Sequence, residues 1–351
     1  MPIRPAPPDH RSVLVTGGAG FIGSAFVRSA LARPGVRVVT LDALTYSGSR
    51  ANLEGLDASR HTFVEGDIRD GDLVRRLLRD HDVTLVAHFA AESHVDRSIS
   101  GPAAFVETNV LGTQALLDAA RDTWAGRDWT GAAPPVRFHH VSTDEVYGDL
   151  GPDDPPFTET TPYAPSSPYS ASKAGSDHLV RAYGRTYGLP VTVTTCSNNY
   201  GPRQYPEKLI PVVLMKALAG EPIPVYGDGQ NVRDWLHVDD HCEAIWTVID
   251  KGGVGETYAI GGDAETDNLT LVRRLCAVLD DRRPARAPHA DLVEFVADRP
   301  GHDRRYAIDA SKVKALGWAP AHSLDRGLEE TVDWYLANGA WVDAVLGGVA
   351  S

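Results

Sequence analysis

The sequence predicts an α/β protein in which a doubly wound parallel sheet carries a smaller, mostly C-terminal lobe. Short runs of β-branched residues alternate with amphipathic segments, which is the pattern of βαβ units. A glycine-rich loop joins the first such run to the first helical segment. The 351 residues, of which 42% are hydrophobic, suffice for a large core with a smaller lobe attached.

The predicted elements of the larger domain alternate along the chain. Strands are predicted at residues 12–16, 37–41, 62–65, 83–89, 136–142 and 191–196. The longest helices between them are predicted at residues 21–32, 103–121 and 169–187. Because helical segments separate consecutive strands, the strands are expected to run parallel with helices on both faces of the sheet.

The domain organisation follows from shifts in composition. Residues 1–11 are proline-rich without an apolar core, so they are interpreted as a loose N-terminal tail rather than a signal peptide. Residues 12–200 form the larger domain, which also carries the candidate catalytic residues. After residue 200 strands become shorter and proline and glycine more frequent. Residues 201–351 are therefore assigned mostly to the smaller lobe, with some segments returning to the larger domain.

Charge and cysteine content exclude several classes of partner. The net charge of −13 argues against nucleic acid or an anionic membrane surface, because both would be repelled. The cysteines Cys196, Cys242 and Cys276 lack CxxC spacing, which indicates neither a disulfide framework nor a thiolate metal site. No run of about 18 apolar residues occurs. A soluble protein of the reducing cytoplasm is expected.

The glycine-rich loop predicts a dinucleotide site. Gly17, Gly18, Gly20 and Gly23 follow the first strand directly and open the helix at residues 21–32. Glycines permit a tight turn and let backbone amides approach a pyrophosphate, whose charge a helix N-terminus favours. The larger domain is therefore interpreted as a Rossmann-like domain. The alternative is that these glycines serve only the packing of helix on strand.

The residue at the end of the second predicted strand indicates which dinucleotide binds. Asp42 stands there, where a carboxylate would accept hydrogen bonds from the adenosine ribose hydroxyls. Its charge would repel a 2′-phosphate, and no arginine follows in residues 43–45. NAD is therefore predicted rather than NADP. Asp67 and Ile68, at the end of the third strand, are placed to meet the adenine.

A tyrosine and a lysine on one helix face are the candidate base. Tyr169 and Lys173 share a helix face, and Ser167 and Pro168 before them are suited to the N-cap and the first helical position. An ammonium near a phenol favours the phenolate, so the pKa of Tyr169 is expected to be lowered. Taken alone, the same pair is compatible with an ordinary surface helix.

An acidic pair follows the fifth predicted strand. Thr143, Asp144 and Glu145 lie where that strand ends, at the carboxyl edge of the sheet. Two neighbouring carboxyl groups can divide into one protonated and one ionised member, which supplies an acid and a base together. The alternative is an acidic loop that caps a helix.

With these motifs, the chain resembles the dTDP-glucose 4,6-dehydratases of the extended short-chain dehydrogenase/reductase family over about residues 12–318. The resemblance is carried by TGGAGFIG at 16–23, AAESHVDRS at 90–98, ETN at 107–109, STDEVYG at 142–148, YSASK at 169–173, NNYGPRQYPEKLIP at 198–211, VYGDGQNVRDWLHVDDH at 225–241 and DRPGHDRRYAID at 298–309. The Asp-Glu pair within STDEVYG marks the dehydratases, whereas related epimerases and decarboxylases lack the complete pair.

The resemblance implies a redox-neutral reaction on a nucleotide-diphosphate hexose. Tyr169 would deprotonate the C4 hydroxyl, with Thr143 bonded to that oxygen, while NAD accepts the C4 hydride. Glu145 would then remove the C5 proton, and Asp144 would protonate the leaving C6 hydroxyl. Return of the hydride to C6 would give a 4-keto-6-deoxy sugar.

The resemblance also implies two sets of binding residues. For the cofactor they are Gly17, Gly20, Phe21, Ile22, Gly23, Asp42, Ala43, Leu44, Thr45, Asp67, Ile68, Phe89, Ala90, Ala91, Ser93, Thr108, Tyr169, Lys173 and Asn199. For the nucleotide sugar they are Ser93, Thr143, Asn198, Lys208, Leu209, Pro224, Val225, Tyr226, Arg233, Asn268, Asp298, Arg299 and His302. Arginines suit a diphosphate because they form charge-assisted hydrogen bonds.

Three further expectations complete the interpretation. No metal is expected, because His237 and His241 alone provide too few ligands for zinc. A homodimer is expected from the resemblance, joined through the helices predicted at residues 103–121 and 169–187. The competing functions are another nucleotide-sugar 4,6-dehydratase, an epimerase or a decarboxylase of the same fold and, from another class, a non-catalytic NAD-binding sensor.

Overall fold

The computed structural model describes residues 11–127, 129, 135–298 and 301–347. The strands within these residues are, in chain order, β1 (Arg11–Thr16), β2 (Val36–Asp42), β3 (His61–Glu65), β4 (Leu85–His88), β5 (Arg137–Thr143), β6 (Val191–Cys196), β7 (Asn198–Tyr200), β8 (Ile223–Tyr226), β9 (Val232–His237), β10 (Thr257–Ile260), β11 (Glu265–Asp267) and β12 (Val293–Val296).

The helices described are α1 (Phe21–Ala32), α2 (Gly71–Asp80), α3 (Val95–Ser100), α4 (Pro102–Phe105), α5 (Thr113–Trp124), α6 (Pro168–Tyr187), α7 (Leu209–Ala219), α8 (Val238–Lys251), α9 (Asn268–Arg282), α10 (Ser311–Lys314), α11 (Leu324–Ala337) and α12 (Gly339–Gly347). A π-helix (Val106–Gly112) joins α4 to α5. Short 3-10 helices occur at Arg50–Leu53, Asp144–Tyr147, Pro284–Arg286 and His289–Leu292.

The central sheet confirms the predicted doubly wound fold. In the described part of the chain it has seven strands in the order β10-β6-β5-β4-β1-β2-β3, all paired in parallel. The order of strands reverses between β1 and β4, and ligands of open α/β sheets bind at the carboxyl ends of the strands at such a point. Along β1, Val13 and Val15 join the core with α1 and α8, while Leu14 joins the core with α2, α5 and α6.

The structure corrects the start of the first strand and the continuity of one predicted helix. Arg11 was assigned to the loose tail but opens β1, because it pairs with Val36 and its Nη1 donates to Asp250 Oδ1 at 2.9 Å. The rest of that tail, residues 1–10, lies outside the described residues. The single helix predicted at residues 103–121 is interrupted by the π-helix, within which the Asn109 side chain donates to Ser172 Oγ at 2.8 Å and to Glu92 O at 3.0 Å. Hydrogen bonds to other segments of the chain therefore hold the π-helix, whose turn is wider than that of an α-helix.

The smaller lobe combines two short sheets with helices. β7, β9 and β11 form one sheet, β8 pairs with β12, and α7, α9 and α11 share a hydrophobic core with them. β10 and α8 return to the large sheet and its core, as the sequence predicts for some C-terminal segments. The division at residue 200 stays a prediction. No helix among the described residues is long and apolar enough to span a membrane.

Candidate active site

A cavity of about 480 Å³ lies at the carboxyl ends of the central strands. It is lined by the glycine loop after β1, the ends of β2, β4, β5 and β6, and the start of α6. The five predicted catalytic residues line it together, namely Thr143, Asp144, Glu145, Tyr169 and Lys173. Residues from separate parts of the sequence therefore share one site.

The glycine loop leaves no room for side chains. A Cβ on Gly17, whose φ is +70°, would lie 2.6 Å from Ala90 N, and one on Gly23 would lie 2.1 Å from Gly17 O. Gly20 is the N-cap of α1, and neither a side-chain cap nor an acidic residue occupies the first turn. The amides at this N-terminus are therefore available to an anion such as a pyrophosphate.

Asp42 is held rigidly at the end of β2. Its Oδ2 accepts a hydrogen bond from Ala19 N and its Oδ1 one from Leu44 N, both at 2.8 Å. Burial raises the pKa of Asp42 from its ordinary value, and the two amide hydrogen bonds oppose that rise. Each carboxylate oxygen can accept a second hydrogen bond, which suits a pair of ribose hydroxyls.

The predicted cofactor residues assemble around this cavity. With one exception they line it: Gly17, Gly20, Phe21, Ile22, Gly23, Asp42, Ala43, Thr45, Asp67, Ile68, Phe89, Ala90, Ala91, Ser93, Thr108, Tyr169, Lys173 and Asn199. The exception is Leu44, whose backbone amide instead holds Asp42. Thr108 comes from the π-helix, an element that is frequent at functional sites.

Tyr169 and Lys173 lie on the first turns of α6. As predicted, Ser167 caps this helix, here in a capping box, and Pro168 is its first residue. Both side chains are buried, and Lys173 Nζ donates to Val141 O at 2.9 Å. The expected lowering of the Tyr169 pKa was wrong for the protein alone. Burial and the Glu145 carboxylate raise the pKa of Tyr169 well above its ordinary value, while a hydrogen bond with Thr143 opposes this.

A buried carboxylate behind Lys173 was missed by the sequence interpretation. Asp177, on the next turn of α6, accepts hydrogen bonds from Ser142 Oγ at 2.9 Å and Tyr163 OH at 2.7 Å. Burial lowers the pKa of Lys173, and the negative charge of Asp177 opposes this. Asp177 could have been associated with Lys173 from sequence, because residues four apart on a helix share a face.

One member of the acidic pair, Asp144, has a strongly shifted pKa. Thr143 ends β5 and caps the 3-10 helix Asp144–Tyr147 through a hydrogen bond from Glu145 N at 3.3 Å. Asp144 is 2% exposed, and burial followed by the neighbouring Glu145 raises its pKa well above the ordinary value. The protonated form of Asp144 is thus favoured. The paired charge that the sequence predicts contributes to this shift, but burial is the larger cause.

The predicted substrate residues divide into two groups. Ser93, Thr143, Asn198 and Lys208 line the cavity, and Lys208 Nζ donates to Ser93 O at 3.3 Å. The others described lie beyond the lining of the cavity, on α7, β8, β9, α9 and the loop after β12: Leu209, Pro224, Val225, Tyr226, Arg233, Asn268, Asp298 and His302. Arg299 lies outside the described residues.

The second group already makes contacts of its own. Arg233 Nη2 donates to Asp303 O at 2.9 Å, and the guanidinium lies 4.3 Å from the centre of the Tyr306 ring. Asp298 Oδ1 and His302 Nδ1 are 2.6 Å apart, and the His302 and Tyr226 rings meet edge to face. The side-chain oxygen of Asn268 is buried without a hydrogen-bond partner among the described residues.

Comparisons with known proteins agree on one family. The family model for GDP-mannose 4,6 dehydratase matches residues 14–331. A dTDP-glucose 4,6-dehydratase from Xanthomonas campestris pv. campestris strain B100 is 62% identical over 339 residues, which cover 95% of this chain and 96% of the relative.

Among solved structures, a dTDP-glucose 4,6-dehydratase from Streptomyces venezuelae with NAD bound superposes with a TM-score of 0.87 at 50% identity, covering 95% of this chain and 99% of that one. The chain belongs to the nucleotide-sugar 4,6-dehydratase family.

Fold alone does not separate this dehydratase from its relatives. A UDP-glucose 4-epimerase from Thermotoga maritima superposes with a TM-score of 0.81 at 30% identity, covering 93% of this chain and 99% of that one. The distinction therefore rests on the site itself, where the carboxyl groups of Asp144 and Glu145 line the same cavity as Tyr169.

Several residues that line the cavity of the dehydratase were not found from sequence. Cys196 ends β6 beside Asn198, and the rule that ligands meet the ends of parallel strands could have found it. Gln204 and Glu207 lie on the loop before α7. Both stand in the NNYGPRQYPEKLIP segment that carries the resemblance, but a motif does not show which of its residues face a cavity, because tertiary contacts orient the loop.

Proposed function

We propose that this dehydratase converts dTDP-glucose to dTDP-4-keto-6-deoxyglucose with tightly bound NAD. One observation carries the proposal: the Asp144–Glu145 pair lies in the same cavity as Thr143, Tyr169, Lys173 and the glycine loop. An epimerase needs the tyrosine and the cofactor but has no use for an acid and a base that eliminate water. The relatives named dTDP-glucose 4,6-dehydratase support the choice of nucleotide and hexose.

The cofactor fits the empty space that the glycine loop and α1 create. NAD⁺, when bound, accepts hydride from C4 of the sugar and returns it to C6. The amides at the N-terminus of α1 hold its pyrophosphate, and Asp42 holds the adenosine ribose and disfavours a 2′-phosphate. Asp67 and Ile68 flank the adenine.

Oxidation at C4 begins at Tyr169. Because its pKa is raised in the protein alone, Tyr169 is protonated until positive charge is brought close. Lys173 is already in place on α6, and NAD⁺, when bound, would add the positive charge of its nicotinamide ring. Tyr169 then removes the proton from the C4 hydroxyl, and Thr143 donates a hydrogen bond to the resulting carbonyl oxygen.

Elimination belongs to the acidic pair. The C4 ketone acidifies the proton on C5, and the Glu145 carboxylate removes it. The C6–O bond breaks as Asp144, protonated because it is buried, donates its proton to the departing hydroxyl, which leaves as water. As C6 gains the hydride, Glu145 would return its proton to C5, and the proton that Tyr169 took from the C4 hydroxyl would replace, by way of solvent, the one that Asp144 gave to the leaving water.

The nucleotide is held by the smaller lobe. Ser93 and Asn198 contact the sugar, Lys208 and Leu209 contact the nucleotide, and Tyr226 lies along the base with Pro224 and Val225. Arg233, Asn268, Asp298, Arg299 and His302 hold the diphosphate and its ribose. The unpartnered buried oxygens of Asn198 and Asn268 support this assignment, because buried polar atoms are normally hydrogen-bonded.

The protein acts as a homodimer in this proposal, joined through α6 and the α4–π–α5 segment. Exposed apolar side chains support it: Val106 is 49% exposed, Leu111 51% and Tyr187 47%. Large exposed apolar side chains on adjacent helices mark interaction surfaces. Sedimentation of the wild type and of Leu111→Asp tests the dimer, and a wild-type monomer would contradict it.

The activity is tested by mass spectrometry of a panel of nucleotide hexoses after incubation with the purified protein. Loss of one water from dTDP-glucose, faster than from UDP-glucose or GDP-mannose, is expected. A product of unchanged mass would instead show epimerisation, and loss of carbon dioxide from a nucleotide uronate would show decarboxylation. No turnover of any compound, with NAD still bound, would favour a sensor.

A further inference from the structure

A cluster of metal-ligand residues lies outside the active-site cavity. His237, His322 and Glu330 each offer a ligand atom, and these atoms lie within 4.8 Å of one another. None of the three lines the cavity. His237 ends β9 and caps α8, His322 precedes α11, and Glu330 lies on α11. The cluster thus joins two segments that are far apart in sequence.

His322 and Glu330 are already spaced as metal ligands. His322 Nε2 and Glu330 Oε2 are 3.5 Å apart. Two ligands at about 2.0–2.2 Å from a tetrahedral Zn²⁺ lie roughly 3.3–3.6 Å from each other. The other oxygen of Glu330, Oε1, accepts a hydrogen bond from Arg326 Nε at 2.7 Å, which orients the carboxylate and leaves Oε2 towards His322.

The outer contacts of His322 are those of a metal-binding histidine. Its Nδ1 lies 3.0 Å from Asp240 Oδ1, and its backbone N donates to Asp240 Oδ2 at 3.0 Å. Histidines that bind metals usually donate the second ring nitrogen to a carboxylate, which fixes the tautomer with the ligating nitrogen unprotonated. Asp240 would therefore prepare Nε2 of His322 as a ligand.

His237 supplies the observation that points most directly to a ligand. It is 3% exposed, and its Nε2 is buried without a hydrogen-bond partner among the described residues. Its ring stacks on that of His322 with the centres 4.0 Å apart. An unsatisfied buried nitrogen is costly, and a bound metal would satisfy it.

We propose that His237, His322 and Glu330 bind one Zn²⁺ ion, with water as the fourth ligand. Two imidazoles and one carboxylate are a common zinc ligand set. Binding requires the His237 ring to move towards Glu330 and to carry its proton on Nδ1. In the structure, His237 Nδ1 accepts a hydrogen bond from Asp239 N at 3.3 Å. Once Nδ1 carries the proton, it can donate to Asp239 Oδ2, which lies 3.9 Å away.

The role of the ion is structural. It would tie the end of β9 and the start of α8 to α11, and Tyr200 of β7 pairs in register with His237. Sequence analysis considered His237 together with His241 and expected no metal. His241 is not part of the cluster, because its Nδ1 lies 2.8 Å from Asn199 Oδ1. Residues 322 and 330 could not be associated with His237 from sequence, since only the fold brings them together.

The test is zinc binding by the full-length protein with its cofactor. After treatment with a chelator and removal of that chelator, equilibrium dialysis should show one Zn²⁺ per chain, and the melting temperature should rise by several degrees at saturating Zn²⁺. His322→Asn and Glu330→Gln should each weaken binding about 10-fold or more and abolish the thermal shift. His237 is not replaced, because it is buried and caps α8.

Matched controls separate this site from nonspecific binding. Glu329→Gln removes an exposed carboxylate from the same helix, and His178→Asn removes an exposed histidine from α6. Both controls should bind zinc as the wild type does. The proposal is overturned if the wild type takes up no Zn²⁺ at micromolar concentrations. It is also overturned if His322→Asn and Glu330→Gln bind like the wild type, or if a control variant loses binding equally.

Discussion

The cofactor side and the substrate side of the site are built differently. Around the cofactor, the loop after β1 and the ends of β2 and β4 come from neighbouring strands of a single sheet, and glycines keep the space open. Around the substrate, the assigned residues come from α7, β8, β9, α9 and the loop after β12. The first region is fixed by the backbone of one sheet, whereas the second depends on the packing of a separate lobe.

The two regions also differ in whether their residues already bond to one another before a ligand binds. At the cofactor side, Gly17 and Gly23 cannot accept a side chain, so the shape exists before any ligand binds. At the substrate side, Arg233 bonds to the carbonyl of Asp303, and Asp298 pairs with His302. A nucleotide sugar must compete with these contacts. Substitutions should therefore change cofactor retention in the first region and the KM for substrate in the second.

The largest effect is expected for Glu145→Gln, at the junction of the two regions. The change keeps the size of the side chain but removes the base assigned to C5. Turnover should fall by about 10²- to 10⁴-fold, as is typical for loss of a general base. Oxidation at C4 does not use Glu145, so reduced nicotinamide should accumulate on the enzyme and be visible as its absorbance when dTDP-glucose is added.

Tyr169→Phe is the matched control for that experiment. It removes the base for the first step, so it should form neither product nor reduced cofactor. If Glu145→Gln retained near-normal dehydration, or failed without any reduction of the cofactor, the division of roles between Tyr169 and Glu145 would be wrong.

A smaller effect is expected for Asp42→Asn on the cofactor side. An amide cannot accept hydrogen bonds at both positions where Asp42 now meets Ala19 N and Leu44 N, and it lacks the charge that favours ribose hydroxyls. The affinity for NAD should fall by about 10- to 100-fold. Gel filtration followed by denaturation and quantification of the released nucleotide measures it. Full retention of NAD would contradict the role of Asp42.

On the substrate side, Tyr226→Ala should raise the KM for dTDP-glucose by about 10-fold and leave kcat nearly unchanged, because stacking on a base is worth about 1–3 kcal/mol. Tyr226 is 42% exposed at the end of β8. Phe295→Ala is the control, since Phe295 is 55% exposed on the paired strand β12 but has no assigned ligand contact. Equal changes in KM for both variants would exclude a specific contact at Tyr226.

The difference between the regions also explains what sequence could predict. The alternation of parallel strands with helices, the cap of α6 and the glycine loop depend on local patterns, and all were found. The π-helix was not, because the contacts of Asn109 with Glu92 and Ser172 that accompany it are tertiary. Asp177 was missed for a related reason: its partners Ser142 and Tyr163 reach it only after folding.

The direction of a pKa shift was predictable only where the neighbouring charge considered from sequence acts in the same direction as burial. For Asp144 the expected protonated acid follows, although burial rather than the paired charge is the larger cause. For Tyr169 the sequence interpretation considered the lysine and overlooked both burial and Glu145, which raise the pKa. Spacing along a helix shows which groups are near each other. It does not show how much water the fold removes.

The smallest effect on turnover is expected for Asp144→Asn. This variant directly tests how the burial of Asp144 affects its protonation. Turnover should fall by less than the about 10²- to 10⁴-fold expected for Glu145→Gln, because water can protonate the leaving hydroxyl in place of the lost acid. The free energy of unfolding of the same variant should increase at neutral pH. The pKa of Asp144 is raised above its ordinary 3.8, so the native state holds a proton that the unfolded chain releases, and the free energy of unfolding falls as pH rises above about 4. Asparagine removes this dependence. At neutral pH the variant should therefore be more stable than the wild type by about 0.5–2 kcal/mol, with the difference shrinking towards pH 4. Urea unfolding of both proteins across this pH range measures it, and a difference that does not change with pH would show that Asp144 is ionised in the folded protein.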